Sequence, residues 1–250
     1  MPVLKPAPVE QLAADAALAE LLALIFGPAS HESLQRAREL CAALAAPDAA
    51  GLDLARLAAL FDILDPERWD AQRVAVFSVG TSADCPAFET AYFAAEAHRQ
   101  PHRMADLTGL YRAFGVIPVP GAGRPDDLAV ELEFLAFMLR KEAWAREHGG
   151  APRVAQVQRG LRIFLAEHLG RWAPAFAARV RERGPATIFT PAAALLQSLL
   201  AAQAARLGVR DIAPAPGFDP AAWETPRSHG PEFGVSSFIS ADAIPEEGSP

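Results

Sequence analysis

The chain has 250 residues, a formal net charge of −7 and a pI near 5.4. That length supports one large domain or two small ones around a sizeable apolar core. The acidic balance argues against nucleic acid and anionic membranes as partners, because both require a basic footprint.

Hydrophobic residues make up 51% of the chain, much of it Ala and Leu, and β-branched residues are sparse. This composition favours helix over sheet. The N-terminal stretch Met1–Pro6 lacks the basic start, apolar run and cleavage site of a signal peptide. An apolar helix then runs to Phe26 and stops at Gly27-Pro28. Its run Ala16–Phe26 is interrupted by Glu20 and is too short to span a bilayer. A cytoplasmic location is expected. Ser30 caps a second helix that reaches about Ala46. A third, Leu54–Leu64, has apolar Leu54, Leu57 and Phe61 at helical spacing and closes at Asp65-Pro66.

Arg73–Val79 is a short apolar run that could be a strand. With no partner strand in view it is assigned to loop or helix end. Cys85-Pro86 is expected to open a helix with Pro at its first position, and Pro101 to break whatever follows His98. From about Met104 a helix buries Leu107, Leu110, Tyr111 and Phe114 and ends at Gly115. Val116–Pro125 is a Pro/Gly-rich loop. The next helix, Asp127–His148, is apolar nearly all round in its first half, the pattern of a helix at the centre of a bundle. Gly149-Gly150 ends it. An amphipathic helix follows with Val154, Val157, Leu161 and Phe164 on one face. Trp172, Phe176 and Val180 then recur at i, i+4 and i+8. Thr190-Pro191 supplies an N-cap and an N1 proline for a last Ala/Leu helix that stops at Gly208. The reading is therefore all-α, with one helical domain over 1–210. Residues 211–250, rich in Pro, Gly, Ser and acids with isolated Trp223, Phe233 and Phe238, form an extended or disordered tail. No internal repeat is evident.

Constellations that could carry chemistry are few. Cys41 and Cys85 are far apart, with no CxxC pair or Cys/His cluster, which indicates neither a disulfide framework nor a zinc site and fits a reducing compartment. Gly121-Ala-Gly123 lacks the third glycine and the preceding strand of a nucleotide loop. His98 and His102 are four apart, but Pro101 between them argues against a metal pair on one helix face. Ser78, Ser82 and the other serines sit in no nucleophile-elbow context. Glu131 and Glu133 point roughly 200° apart on a helix and cannot act as a carboxylate pair. Glu131 instead lies among Leu128, Leu135 and Met138 in the apolar stripe, where an internal salt bridge or a bond to a helix end would satisfy it. Asp126 and Asp127 stand at a helix start, where capping accounts for them. No catalytic residue, metal or cofactor site is assigned, and the chain is read as a non-enzyme.

Four segments nevertheless follow a family pattern in order and spacing. Cys85-Pro-Ala-Phe-Glu-Thr-Ala-Tyr92 resembles a Cys-Pro-x-x-Glu-Thr-x-Tyr segment. Met104–Gly115, ending Tyr-Arg-Ala-Phe-Gly, resembles an aromatic-x-x-Phe-Gly helix. Arg124-Pro-Asp-Asp-Leu128 and the helix it opens are similar to a Pro-Asp-His-Leu loop and central helix, and Phe164–Ala175 also fits. Together they resemble the redox-enzyme maturation chaperones of the TorD/DmsD/NarJ type over residues 10–208, closest to those serving dimethylsulfide, ethylbenzene, chlorate or selenate enzymes. One departure stands out: Asp127 occupies the place of the family's His. It puts in doubt any role that needs an imidazole there.

The resemblance implies a TorD-like helical bundle that binds the twin-arginine leader and apo form of a molybdenum-containing oxidoreductase subunit, delays export and aids cofactor insertion. The apolar part of a leader would lie in a groove between helices, and carboxylates would favour its arginines. The candidate peptide-binding residues are Tyr111, Phe114, Arg124, Pro125, Asp126, Asp127 and Glu131. Tyr111 and Phe114 would supply the apolar wall or the packing beneath it. A homodimer is left open. The alternatives are a small nucleotide-binding protein and a structural assembly subunit of a redox complex.

Overall fold

A computed structural model describes residues 7–44, 52–77, 85–119, 124–184, 186–210, 212–216 and 238–240. Nine α-helices lie among them: α1 (Val9–Phe26), α2 (His31–Leu44), α3 (Leu52–Asp62), α4 (Pro66–Phe77), α5 (Gln100–Ala113), α6 (Leu128–His148), α7 (Gly150–Glu167), α8 (Leu169–Arg183) and α9 (Phe189–Leu207). A 3₁₀ segment, Glu89–Arg99, precedes α5. Strands β1 (Val116–Pro118) and β2 (Phe238–Ser240) pair antiparallel, with Ile117 opposite Ile239. The all-α reading holds, with this one ribbon added among the described residues.

Local chemistry explains the helix ends. Ser30 Oγ accepts from Ser33 N–H at 3.0 Å and Ser33 Oγ accepts from Ser30 N–H at 2.9 Å, a reciprocal cap at the start of α2. Asp65 Oδ1 accepts Arg68 N–H at 2.8 Å ahead of Pro66, so α4 begins on an acidic cap with proline at its first position. Helix α4 runs to Phe77, so Arg73–Phe77 is the helix end, one of the two readings of this stretch, and Ser78 and Val79 lie outside the described residues. Gly208 ends α9 at φ +67°, the left-handed stop.

Other boundaries differ from expectation. Cys85-Pro86 opens no helix: Phe88 forms a bridge with Asp127 before the 3₁₀ segment starts at Glu89. Pro101 does not break α5 but sits in its first turn, where its missing N–H costs nothing. Thr190 is likewise inside the first turn of α9, its hydroxyl donating back to Gly184 O, while Ile188 stands at the N-cap position. The tail docks at two described places: Ala215 N–H donates to Arg171 O at 2.8 Å, and β2 pairs with β1. Gly121–Gly123, Ser78, Ser82, Trp223 and Phe233 lie outside the described residues.

Helix α6 is the axis of the bundle. It packs most extensively on α1 and also along α7, which accounts for its apolar residues on every side. Phe26, Phe77, Phe176 and Phe189 join α1, α4, α8 and α9 in one aromatic cluster, with ring centroids as close as 4.7 Å. On α7, Gly160 lets the Phe114 ring approach: a Cβ there would fall 2.2 Å from the ring. No described helix is long and apolar enough to cross a membrane. Gly160→Ala is expected to destabilise the fold by about 1 kcal/mol, because overpacking costs roughly 1–3 kcal/mol against a gain of about 1 in helix propensity. Urea denaturation checks this, and a stabilised variant would contradict the packing described.

Candidate functional site

The motif segments converge in the interior. Residues 87–90 run beside the start of α6: Leu128 N–H donates to Ala87 O at 2.8 Å and Glu89 N–H to Asp126 O at 2.9 Å. Three side chains then lock the two stretches. Thr90 donates from its N–H and from its hydroxyl to Asp126 Oδ2, at 3.0 and 2.7 Å. Arg124 grips Asp126 with two bonds, Nε to Oδ1 at 2.9 Å and Nη2 to Oδ2 at 3.1 Å, and also donates to Thr90 Oγ1 at 2.7 Å. Its guanidinium lies 4.4 Å from the centre of the Phe88 ring. Planar bidentate pairing of this kind is the strong form of an ion pair.

Two further buried acids extend the cluster. Glu89 Oε1 accepts from Arg103 at 2.9 Å, and Glu89 Oε2 lies 3.1 Å from His168 Nδ1. Glu131 accepts the Trp172 indole N–H at 3.2 Å. The expected salt bridge or helix-end bond for Glu131 is thus replaced by an indole donor. Burial, reinforced by Glu89 and Asp126, pushes the Glu131 carboxyl well above its usual range. Tyr111 donates its hydroxyl to Pro125 O at 2.8 Å, holding the loop to α5.

Asp127 stands at the N-cap position of α6, but its carboxylate makes no cap bond. It turns back to accept the Arg124 N–H at 3.2 Å. Asp126 is committed to Thr90 and Arg124. Neither carboxylate caps the helix, which corrects that reading of the pair. Burial and the neighbouring Asp126 charge raise the Asp127 carboxyl to about 7. The start of α6 thus holds a carboxyl shifted towards neutrality.

The candidate peptide-binding residues divide by accessibility. Tyr111, Asp126 and Glu131 are fully buried. Arg124, Pro125 and Asp127 are partly exposed at the start of α6. Phe114 lies elsewhere, in the wall of a groove of about 540 Å³ between the end of α5, α6 and α7. Phe137 and Trp144 share this wall, and Trp144 is 50% exposed. Lys141 sits over the Phe137 ring and donates to Phe114 O at 3.1 Å, and Arg153 lies 5.9 Å from the centre of the Trp144 ring. Trp144 escaped the sequence reading, although a tryptophan in the polar second half of an otherwise buried helix is a signal that could have found it.

Glu131 supplies the test of the cluster. Its native pKa is raised above the usual value near 4.5, so the ionised form is the costly one. The native state then loses stability as pH rises from that value through the raised one. Glu131→Gln keeps an acceptor for Trp172 and removes the charge, so its melting temperature should equal or exceed that of the parent, with a gap that widens from pH 5 to 8. Glu131→Leu strands the indole N–H and should cost about 1–3 kcal/mol. Equal losses in both variants would contradict the assignment.

The nitrate reductase delta subunit family model matches residues 38–178, more than half of the chain. The perchlorate reductase assembly chaperone protein of Dechloromonas aromatica (strain RCB) is 35% identical over 85 residues, which cover 34% of this chain and 37% of that protein. The match therefore takes in little more than a third of that relative's length. The crystal structure of a candidate redox enzyme maturation protein from Archaeoglobus fulgidus aligns at 20% identity with a TM-score of 0.47, over 80% of this chain and 98% of the other, a likeness too distant to add to the argument. All four motif segments, from Cys85 to Ala175, fall inside the matched span. The chain belongs to the nitrate reductase delta subunit family, in agreement with the resemblance those segments carry.

Proposed function

We propose that this protein is a maturation chaperone for a molybdenum-containing oxidoreductase subunit, and that it holds the client's twin-arginine leader in the cytoplasm until the cofactor is in place. The observation that carries the reading is the solvent-facing aromatic groove of Phe114, Phe137 and Trp144 on a member of this family. It suits the apolar stretch of a leader, while the buried motif residues serve as its foundation.

Charge argues for the peptide's direction. Arg140, Lys141 and Arg153 rim the groove and disfavour an arginine pair inside it. The pair is better placed towards Asp127, at the start of the same helix. From Asp127 to Phe137, α6 rises roughly 15 Å, a span that about five extended residues cover. Burying about 500 Å² of apolar surface yields on the order of 12 kcal/mol gross. Ordering a flexible peptide removes a large part of it, which leaves binding that can later release.

Asp127 adds a sign. Its carboxyl titrates at about 7, and an arriving cation favours the ionised form, so leader affinity should rise from pH 6 to pH 8 with release of a proton. Titration calorimetry with a synthetic twin-arginine leader from a neighbouring molybdoenzyme gene tests the reading. Trp144→Ala should weaken binding about tenfold, and Asp127→Asn should flatten the pH dependence. Absence of binding by every such leader would overturn the proposal.

A further inference from the structure

We propose that a second cavity, separate from the leader groove, is a binding site for a small phosphate-type oxyanion. It measures about 950 Å³ and opens where the 3₁₀ segment and α5 meet the end of α7 and the start of α8. In a chain of net charge −7 it gathers Arg99, Arg103, Arg171, His98, His102 and His168 around one space.

The floor is built. Phe93 is buried, with the Arg103 guanidinium 3.5 Å from its ring centre and that of Arg171 at 4.9 Å. Two guanidinium groups are therefore held on one aromatic plate before any ligand arrives. Glu89, fully buried, fixes the other side: it takes a bond from Arg103 and lies against His168 Nδ1. A carboxylate accepts, so Nδ1 is the donor of that pair, and Nε2 is the nitrogen left for a ligand. His168 is itself only 5% exposed while lining the cavity. Arg171 spends its Nε on Ala213 O at 2.9 Å, and among the described residues it makes no salt bridge. Preset, partly desolvated guanidinium and imidazole donors are the chemistry that recognises phosphoryl oxygens.

The rim limits the ligand. Asp106 and Glu167 also line the cavity, so an extended polyanion would meet repulsion at its edges. Leu110 and Ile163 add an apolar wall. The site thus suits one or two phosphoryl groups, free or carried on a small organic molecule. This inference does not depend on the leader reading: a failure of either leaves the other standing.

Isothermal titration of the full chain at constant ionic strength, with pyrophosphate, inorganic phosphate and phenyl phosphate in separate arms, tests it. Saturable binding of at least one probe is expected, and Arg171→Gln should weaken it about tenfold or more. The exposed Arg68→Gln should leave it unchanged. Stronger binding of phenyl phosphate would point to an organic phosphoester, and stronger binding of pyrophosphate to a free or terminal diphosphate. Should Arg171→Gln fold poorly, the His168 ring signals in a ¹H–¹⁵N spectrum of the parent should still shift on saturation with the probe. No saturation by any arm, unchanged affinity in a folded Arg171→Gln, or binding of a Glu-rich peptide in place of the phosphates would overturn the proposal.

Discussion

Three carboxylates with no exposed surface, Glu89, Asp126 and Glu131, set the terms for the rest of this molecule. An isolated charge in such a place is prohibitively unfavourable, so each must find donors. Asp126 finds Arg124 and Thr90, Glu89 finds Arg103 and His168, and Glu131 finds Trp172. Those donors come from the 87–90 stretch, α5, the 124–127 loop and the α7–α8 junction. Satisfying the acids therefore draws four separated segments to one point at the start of α6. The motif residues are, on this account, the means by which the surface is held in shape.

A fourth buried acid does similar work at the other end of α6. Glu142 accepts from Arg146 at 2.6 Å, Gln158 at 2.8 Å and Arg206 at 2.9 Å. Gln203, next to Arg206, donates to Asp15 at 2.6 Å. Helices α1, α6, α7 and α9 are tied there by polar bonds in addition to apolar packing. With these two points anchored, α6 can present Phe137 between them and Trp144 just beyond Glu142 at the surface. The groove and the second cavity lie at different ends of α7, and each has a floor formed by groups already fixed in the fold.

Much of the fold was legible because apolar periodicity and turn residues are local signals. The cores of the helices, the glycine stops at 27, 149 and 208, and the central place of α6 follow from spacing alone. Failures occurred where a distant partner outweighed a local preference. Cys85-Pro86 has the form of a helix start, but hydrogen bonds to residues 126–128 hold the following residues extended. Asp126 and Asp127 have the form of caps, yet Arg124 and Thr90 claim the first and the Arg124 backbone the second. Trp172 is 41 positions from Glu131, and no spacing rule relates them. The candidate site was legible as a region. Which of its residues reach solvent was not, because burial of Tyr111 and Asp126 depends on segments packed over them.

The buried motif residues, Glu89, Tyr111, Asp126 and Glu131, support a surface on which, in the proposed reading, a leader binds at Asp127 and along Phe137–Trp144. Hydrogen–deuterium exchange with and without a synthetic leader tests this most directly. Slowed exchange is expected along Phe137–Trp144 and at the start of α6, with residues 87–90 and 168–172 unchanged. Slowing confined to those inner segments, with Phe137–Trp144 unaffected, would contradict it.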